Sequence, residues 1–320
     1  MLAEKPVLWI TRKLSDNTMA RARASYDVID NPEDRTFTAD EIVAMSAKAD
    51  AILPCHSEVF DAGVTARLSD RVRIIANHSV GVDHCDLPAL KARGIAVTNT
   101  PDVLSDATAE IAILLMLGAA RRASEGERLI RAGQWTDWSP SFMVGRQVTG
   151  KRFGVLGMGR VGRVAAMRAR GFGMEIHYHN RNPVEGADGA IYHGDVEEFL
   201  SVCDVLSIHC PATDTTRGLL NRERLELLPA DAIVVNTARG AIVDDDALID
   251  ALKRGRIFAA GLDVFNGEPR IHHGYASLEN VFLLPHIGSA TTQTRDAMGF
   301  RALDNLDAFF AGQDPGDRVA

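Results

Sequence analysis

The stretch RFGVLGMGRVGRVAAMRARGFGMEI (152–176) decides the fold. It reads in three pieces. FGVLG is an apolar run of strand length, GMGRVG (157–162) is a glycine turn, and VGRVAAMRARG has helical character. A strand that enters a helix through G-x-G-x-x-G needs each glycine for a different reason. Gly157 permits the tight turn, Gly159 lets backbone approach a pyrophosphate, and Gly162 lets helix and strand pack closely. With Met158, Arg160 and Val161 between them, the turn would offer the free amides of a helix N-terminus to phosphate. Alone the pattern is weak and describes a turn that only packs. The strand before it and the helix after it favour a dinucleotide site.

Working outward, short apolar runs alternate with amphipathic helical patterns almost throughout. The strand candidates are VLWI (7–10), AILP (51–54), RIIANHS (73–79), IAVTNT (95–100), FGVLG (153–157) and MEIHYHN (174–180), followed by DVLSIHC (204–210), AIVVNT (232–237), FAAGLDVF (258–265) and VFLLPHI (281–287). Several are apolar on both faces, as strands of a buried parallel sheet should be. This alternation predicts an α/β protein with doubly wound parallel sheets. A long helix is expected after Pro101, with Asp102 in its N-cap region and Arg121–Arg122 at its C-terminal turn. A second runs from Thr291 to about Ala311, and the tail GQDPGDRVA (312–320) reads as frayed. Hinges near Thr100 and His286–Ala290 would make 101–286 one domain and join 1–100 to 287–320 as the other.

A chain of 320 residues suits two domains, and 46% hydrophobic with 24% charged residues is ordinary for a globular protein. A net charge of −8 argues against general nucleic-acid binding. Cys55, Cys85, Cys203 and Cys210 form no CxxC pair and imply a reducing compartment. The N-terminal MLAEKPVLWITRK lacks an apolar signal core, and IAILLMLGAA (111–120) is too short to span a bilayer, so a cytoplasmic protein is expected with no membrane partner.

HYHNRN (177–182) ends the strand after the glycine turn. An NAD site expects a carboxylate there for the ribose hydroxyls. His179, Asn180 and Arg181 stand instead, which removes a repulsive charge. Arg181 could bond a 2′-phosphate, with Asn180 and Asn182 as neutral donors, so the site reads as one for NADPH with NAD as the alternative. A solvated loop arginine is the competing reading.

Three later segments carry candidate chemistry: Arg239 in VVNTARGAIVDDDAL, Asp263 and Glu268 in GLDVFNGEP, and His286 in LLPHIGSAT. Each follows an apolar strand, where open α/β sheets place ligands. Reduction of a 2-keto acid needs a cation for the carboxylate and ketone, a proton donor for the ketone oxygen, and a hydride. Arg239 suits the first and His286 the second, with Glu268 orienting the imidazole, while a nicotinamide supplies the third. Individually, each residue could be a surface ion pair, a hydrogen-bonded histidine or a turn residue.

Together these segments resemble the D-isomer-specific 2-hydroxyacid dehydrogenases over nearly the whole chain. NTARGAIVDDDAL, AAGLDVFNGEP and LLPHIGSAT are the specific matches, with GKRFGVLGMGRVG and SIHCPATDTTRGLL in support. The resemblance implies a Rossmann dinucleotide-binding domain inserted into a flavodoxin-like substrate domain. It implies Arg239, Glu268 and His286 as the catalytic three. Thr237, Ala238 and Asp263 would line the nicotinamide and Cys210–Pro211 the adenosine side, with Gly288 also binding the cofactor. Ser79, Val80 and Gly81 in NHSVGVDHCDL, together with Ser289, would bind substrate, with the backbone amides of Val80 and Gly81 holding its carboxylate. GQWTDWSPSFMVG (133–145) is similar to glyoxylate/hydroxypyruvate reductases, where a Trp matching Trp138 reaches the neighbouring subunit's pocket and the family forms a homodimer. A Trp that is simply buried at an interface is the other reading.

No histidine or cysteine grouping (His78, His84 and Cys85; His177 and His179; His272 and His273) has the spacing of a structural zinc site, so no metal is expected. The expected function is NADPH-dependent reduction of glyoxylate and hydroxypyruvate to glycolate and D-glycerate. The alternatives are another D-2-hydroxyacid dehydrogenase, or a nucleotide-sensing protein like the corepressors that share the fold.

Overall fold

The computed structural model describes residues 5–187 and 189–320. The chain divides into two compact units, one made of Met1–Leu104 with Ser289–Ala320 and the other of Ser105–Gly288.

The first unit is a five-stranded sheet of β1 (Val7–Ile10), β2 (Asp27–Ile29), β3 (Ala51–Leu53), β4 (Ile74–Ala76) and β5 (Ala96–Thr98), in the order β2-β1-β3-β4-β5. Every pairing is parallel, and the order is that of a flavodoxin-like doubly wound sheet. β3, β4 and β5 are buried on both faces, which is why they read as plain apolar runs. Four helices intervene: α1 (Asp16–Ser25), α2 (Ala39–Ser46), α3 (Ala62–Arg67) and α4 (Leu87–Ala92). Each starts where Ser15, Thr38, Asp61 or Asp86 accepts a backbone N–H of the first turn, and Thr38 forms a full capping box with Glu41. The C-terminal helix (Thr292–Phe310), capped by Thr291, returns to pack on α1.

The last residues are not frayed, contrary to expectation. The backbone of Val97 pairs with Val319 and Ala320, and Asn99 N–H donates to Asp317. The Asp317 carboxylate, nearly buried, takes Arg301 at 2.5 and 2.8 Å and Asn305 at 2.9 Å. The tail therefore covers the open edge of β5, which the polar composition of GQDPGDRVA does not reveal. β2 is also absent from the expected strands. It is a three-residue edge strand with an exposed first residue and no doubly buried run to read.

The second unit holds α5 (Ser105–Ala120), α6 (Ala123–Arg131), β6 (Arg152–Leu156), α7 (Arg160–Gly171), β7 (Glu175–His179), β8 (Ile191–His193), α8 (Val196–Val202), β9 (Val205–Ile208), α9 (Arg222–Leu225), β10 (Ile233–Asn236), α10 (Asp245–Lys253), β11 (Ala259–Leu262) and β12 (Val281–Leu283). Its sheet runs β12-β11-β10-β9-β6-β7-β8, all parallel. Counted from β6, this is the Rossmann order with one added strand, and the winding reverses between β6 and β9. α5 is apolar around most of its circumference because it packs on α7, β10 and β11. It begins three residues later than the Asp102 start expected from sequence. Asp102 has φ 71°, a left-handed conformation, whereas an N-cap residue adopts extended angles. α10 starts at the acidic run, with Asp244 as its cap. β8 is the second strand not anticipated, again a short edge strand. Among the described residues no helix is long and apolar enough to cross a membrane.

Candidate active site

The glycine turn lies at the reversal of the second sheet. Gly157 has φ 101°, and a Cβ there would sit 2.6 Å from the Cys210 nitrogen. The turn after β6 and the start of the loop after β9 thus touch backbone to backbone. A Cβ at Gly162 would fall 2.3 Å from the Gly157 carbonyl, so α7 lies directly on the turn. At Gly159 a Cβ would meet nothing within 4 Å. That residue caps α7 with no side-chain acceptor for the helix amides. The result is an open cradle at a helix N-terminus, the geometry a pyrophosphate requires. Arg160 and Val161 are the first residues of that helix.

The loop after β7 is tied to the same turn. Asn180 Oδ1 accepts the Met158 amide at 2.6 Å, so this side chain braces the glycine turn, and its amide nitrogen is the donor it can offer a ligand. Arg181 and Asn182 follow on the exposed side of the loop. Across the reversal, Cys210 is partly buried and Pro211 is exposed, its carbonyl accepting the Thr216 hydroxyl at 2.6 Å.

Arg239, Glu268 and His286 all lie in the second unit, in the loops after β10, β11 and β12. His286 Nδ1 is 2.6 Å from Glu268 Oε2. A carboxylate only accepts, so Nδ1 carries the hydrogen and Nε2 is the ring nitrogen not bonded to Glu268. Glu268 Oε1 accepts the Phe265 amide at 2.7 Å, which fixes the carboxylate from its other side. His286 has φ 53°, an uncommon conformation for a residue with a Cβ. Asp263 holds it there. Its carbonyl accepts the His286 N–H at 2.9 Å, and its buried carboxylate accepts the amides of Ile287 at 2.7 Å and Gly288 at 2.8 Å. Burial raises the Asp263 pKa and these two N–H donors partly oppose the rise.

The Arg239 loop is built by Asn236, the last residue of β10. Its Oδ1 accepts the Ala238 amide at 2.9 Å and its Nδ2 donates to the Arg239 carbonyl at 2.9 Å. Arg239 itself donates to the Ala238 carbonyl at 2.8 Å. Gly240 then packs against the Phe265–Asn266 backbone, where a Cβ would lie 2.0 Å from the Phe265 carbonyl carbon. The arginine loop and the loop leading to Glu268 are therefore in direct contact. Thr237 Oγ1 lies 3.4 Å from His209 Nδ1, and Ser207 Oγ is 2.8 Å from His209 Nε2. Desolvation pushes the His209 pKa down to about 4, so this imidazole is a neutral strut beneath Thr237.

In the first unit, the loop after β4 turns its carbonyls inward. Ser79 O accepts the Thr100 amide, Val80 O accepts Asn99 Nδ2 at 2.8 Å, and Gly81 O accepts the Ser79 hydroxyl at 2.8 Å. Ser289 begins the return to this unit, and its carbonyl accepts the Thr291 amide. Trp138 lies in the second unit and is 71% exposed.

Residues 113–288 match the model of the D-isomer specific 2-hydroxyacid dehydrogenase NAD-binding domain. The chain belongs to that family. This dehydrogenase is 44% identical over 322 residues to the glycerate dehydrogenase of Hyphomicrobium methylovorum, covering 98% of each chain. It is 40% identical to the glyoxylate reductase of Pyrococcus furiosus, over 97% of this chain and 94% of that one. A structure of the NADPH-dependent glyoxylate/hydroxypyruvate reductase of Sinorhizobium meliloti, in complex with NADP and malonate, superposes with a TM-score of 0.88 at 32% identity, over 99% of this chain and 97% of that one. The D-2-hydroxyacid dehydrogenase described here is thus an oxidoreductase with a dinucleotide-binding domain of Rossmann type.

Sequence reading did not single out Asn236, His209 or Gly240 in this dehydrogenase. A polar residue closing an apolar strand, as in AIVVNT, is the signal that could have found Asn236. Ser207 lies two residues before His209, but Thr237 reaches it only through the pairing of β9 with β10, so the strut is not visible in the sequence.

Proposed function

We propose that this protein is a glyoxylate/hydroxypyruvate reductase that uses NADPH in preference to NADH and forms glycolate and D-glycerate. The observation that carries the chemistry is the Glu268–His286 contact at 2.6 Å, which commits Nδ1 and leaves Nε2 to deliver a proton. A bound nicotinamide supplies the hydride. Arg239, always charged, holds the substrate carboxylate and draws electron density from the ketone. His286 Nε2 protonates the ketone oxygen, and Glu268 stabilises the imidazolium before transfer. The amides of Val80 and Gly81, beside Ser79, and the Ser289 hydroxyl are assigned to substrate. Thr237, Ala238, Asp263 and Gly288 are assigned to the nicotinamide side, and Cys210 with Pro211 to the adenosine side.

The preference for NADPH rests on HNRN. No carboxylate occupies positions 179–182, Asn180 is committed to Met158, and Arg181 stands in the exposed part of the loop. A guanidinium is the group that pairs bidentately with phosphate. The Sinorhizobium meliloti reductase of the same fold is NADPH-dependent. The protein is further assigned as a homodimer. α6 buries none of its residues, and Ile130, Trp135, Trp138, Phe142 and Val144 stand exposed on it and on the segment after it. So much aromatic and aliphatic surface is characteristic of an interface. Trp138 is assigned to the partner subunit's substrate pocket.

Initial rates with glyoxylate, hydroxypyruvate, pyruvate and phenylpyruvate, each with NADPH and NADH, test the reading. A tenfold NADPH preference is about 1.4 kcal/mol of transition-state discrimination. Arg181→Asp should shift the kcat/KM ratio toward NADH. An unchanged ratio removes Arg181 from cofactor selection. Equal rates with both cofactors reduce the assignment to a general 2-hydroxyacid dehydrogenase.

A further inference from the structure

At the free edge of the second sheet, His177 and His193 meet. His177 Nδ1 lies 2.9 Å from His193 Nε2, and their rings stack with centroids 5.2 Å apart. Both side chains are buried. A carboxylate lies at each outer end of the pair. Glu175 Oε1 is 3.1 Å from His177 Nε2, and Glu198 Oε1 is 3.5 Å from His193 Nδ1, a charge contact. None of the four residues takes part in the chemistry assigned above.

Proton counting limits what this row can hold. A carboxylate only accepts, so each outer contact is favourable only with a hydrogen on the imidazole side. The central contact needs one hydrogen between two nitrogens. Three hydrogens therefore satisfy the row. Two neutral imidazoles carry two and leave one contact unmade. Two imidazolium rings carry four and set N–H against N–H at 2.9 Å. The row fits one excess proton and excludes a second.

The strand carrying His193 also braces the loop assigned to the 2′-phosphate. The His193 carbonyl accepts His179 Nδ1 at 3.0 Å, and Tyr192 donates its hydroxyl to the Asn180 carbonyl at 3.3 Å. We infer that His177 and His193 form a one-proton site that positions the 179–182 loop, so that the protonated pair favours the 2′-phosphate of NADPH. This inference rests on the assignment of that loop above. Protonation completes the contacts that tie β7, β8 and α8 together and adds a positive charge on the strands that lead into the loop. Other charged groups face the pair. Arg152 on β6, paired with Asp204 at 2.9 Å, opposes protonation of His177, while Glu175 favours it. His179 lies on the same face of β7, near Asp195 at the start of α8, and the Phe199 ring lies 6.0 Å from the rings of both His179 and His193. Burial is the largest influence on His177 and lowers its pKa.

The test uses the full chain with 15N-labelled histidine, followed by NMR from pH 8 to pH 5, alone and with NADPH or NADH. One proton should enter the two rings in a single step. Linkage is reciprocal, so NADPH binding about threefold tighter to the protonated pair should raise that midpoint by about half a pH unit. NADH should raise it less. Two independent protons, or equal shifts with both cofactors, overturn the inference. His193→Gln should abolish the extra pH dependence of NADPH affinity and leave NADH affinity level, and parallel curves for variant and wild type overturn it. Glu198→Gln, at an exposed carboxylate, should lower the midpoint, and serves if His193→Gln fails to fold. If Arg181→Asp leaves cofactor selection unchanged, the loop assignment fails and this inference with it. If Arg181 responds and the histidine pair does not, only this inference fails.

Discussion

His286 Nδ1 and Glu268 Oε2 are 2.6 Å apart, and the Phe265 amide holds the other Glu268 oxygen at 2.7 Å. The carboxylate is thus fixed from both sides and dictates the imidazole tautomer. His286→Asn should lower kcat by about 10²–10⁴-fold, the usual contribution of a positioned proton donor. Glu268→Gln should lower it less, because the imidazole stays in place while the imidazolium loses its counter-charge. Stopped-flow rates of the two variants separate the roles. Equal losses in both would mean that Glu268 is needed for the placement of the imidazole itself.

Gly240 joins the arginine loop to the loop leading to Glu268. Any Cβ there meets the Phe265–Asn266 backbone, so Gly240→Ala must move one loop against the other. A shift near 1 Å can cost about 10²-fold in rate. The expected result is a large fall in kcat/KM for the keto acid with little change in NADPH affinity, read by steady-state kinetics and cofactor fluorescence. A variant with native kcat/KM would show that the two loops move independently.

Asp317 anchors the C-terminal tail through Arg301 and Asn305. Asp317→Ala leaves the Arg301 guanidinium without this carboxylate and removes one of the three acceptors around Asn305 Nδ2, and should destabilise by about 1–3 kcal/mol. The loss should appear as a lower Tm in calorimetry. A Tm within error of the wild type would mean the tail adds nothing to the first unit.

The four cysteines should react slowly with thiol reagents in the folded protein. Burial pushes Cys55 and Cys85 up to about 12 and Cys210 up to about 11, and raises Cys203 as well. The thiolate is therefore a very small fraction of each at neutral pH. At pH 8, a reagent that reads thiolate should label unfolded chains far faster than folded ones. Rapid labelling of Cys210 in the native protein would contradict its burial.

The apolar face on α6 and the segment after it should disappear from solvent in the dimer. Ile130→Asp with Trp138→Asp should shift sedimentation toward the monomer. If wild type sediments as a monomer at micromolar concentration, the homodimer assignment fails.

Much of this protein was legible in its sequence. Doubly buried strands such as AIVVN and FGVL read as apolar runs because both faces are covered, and the glycines at 157 and 162 sit where the turn and the helix after it leave no room for a Cβ. Caps such as Thr291 and Asp244 are equally local. The edge strands β2 and β8 were not legible, because a short strand at a sheet border lacks a hydrophobic period and is defined by its neighbour. The docked tail, the Asn236 brace and the Asp263 clamp on residues 286–288 depend on hydrogen bonds between distant segments. So does the meeting of His177 with His193. Sequence shows which side chains can donate and accept. Only the tertiary fold decides which pairs meet, because parallel β pairing sets residues far apart in the chain side by side.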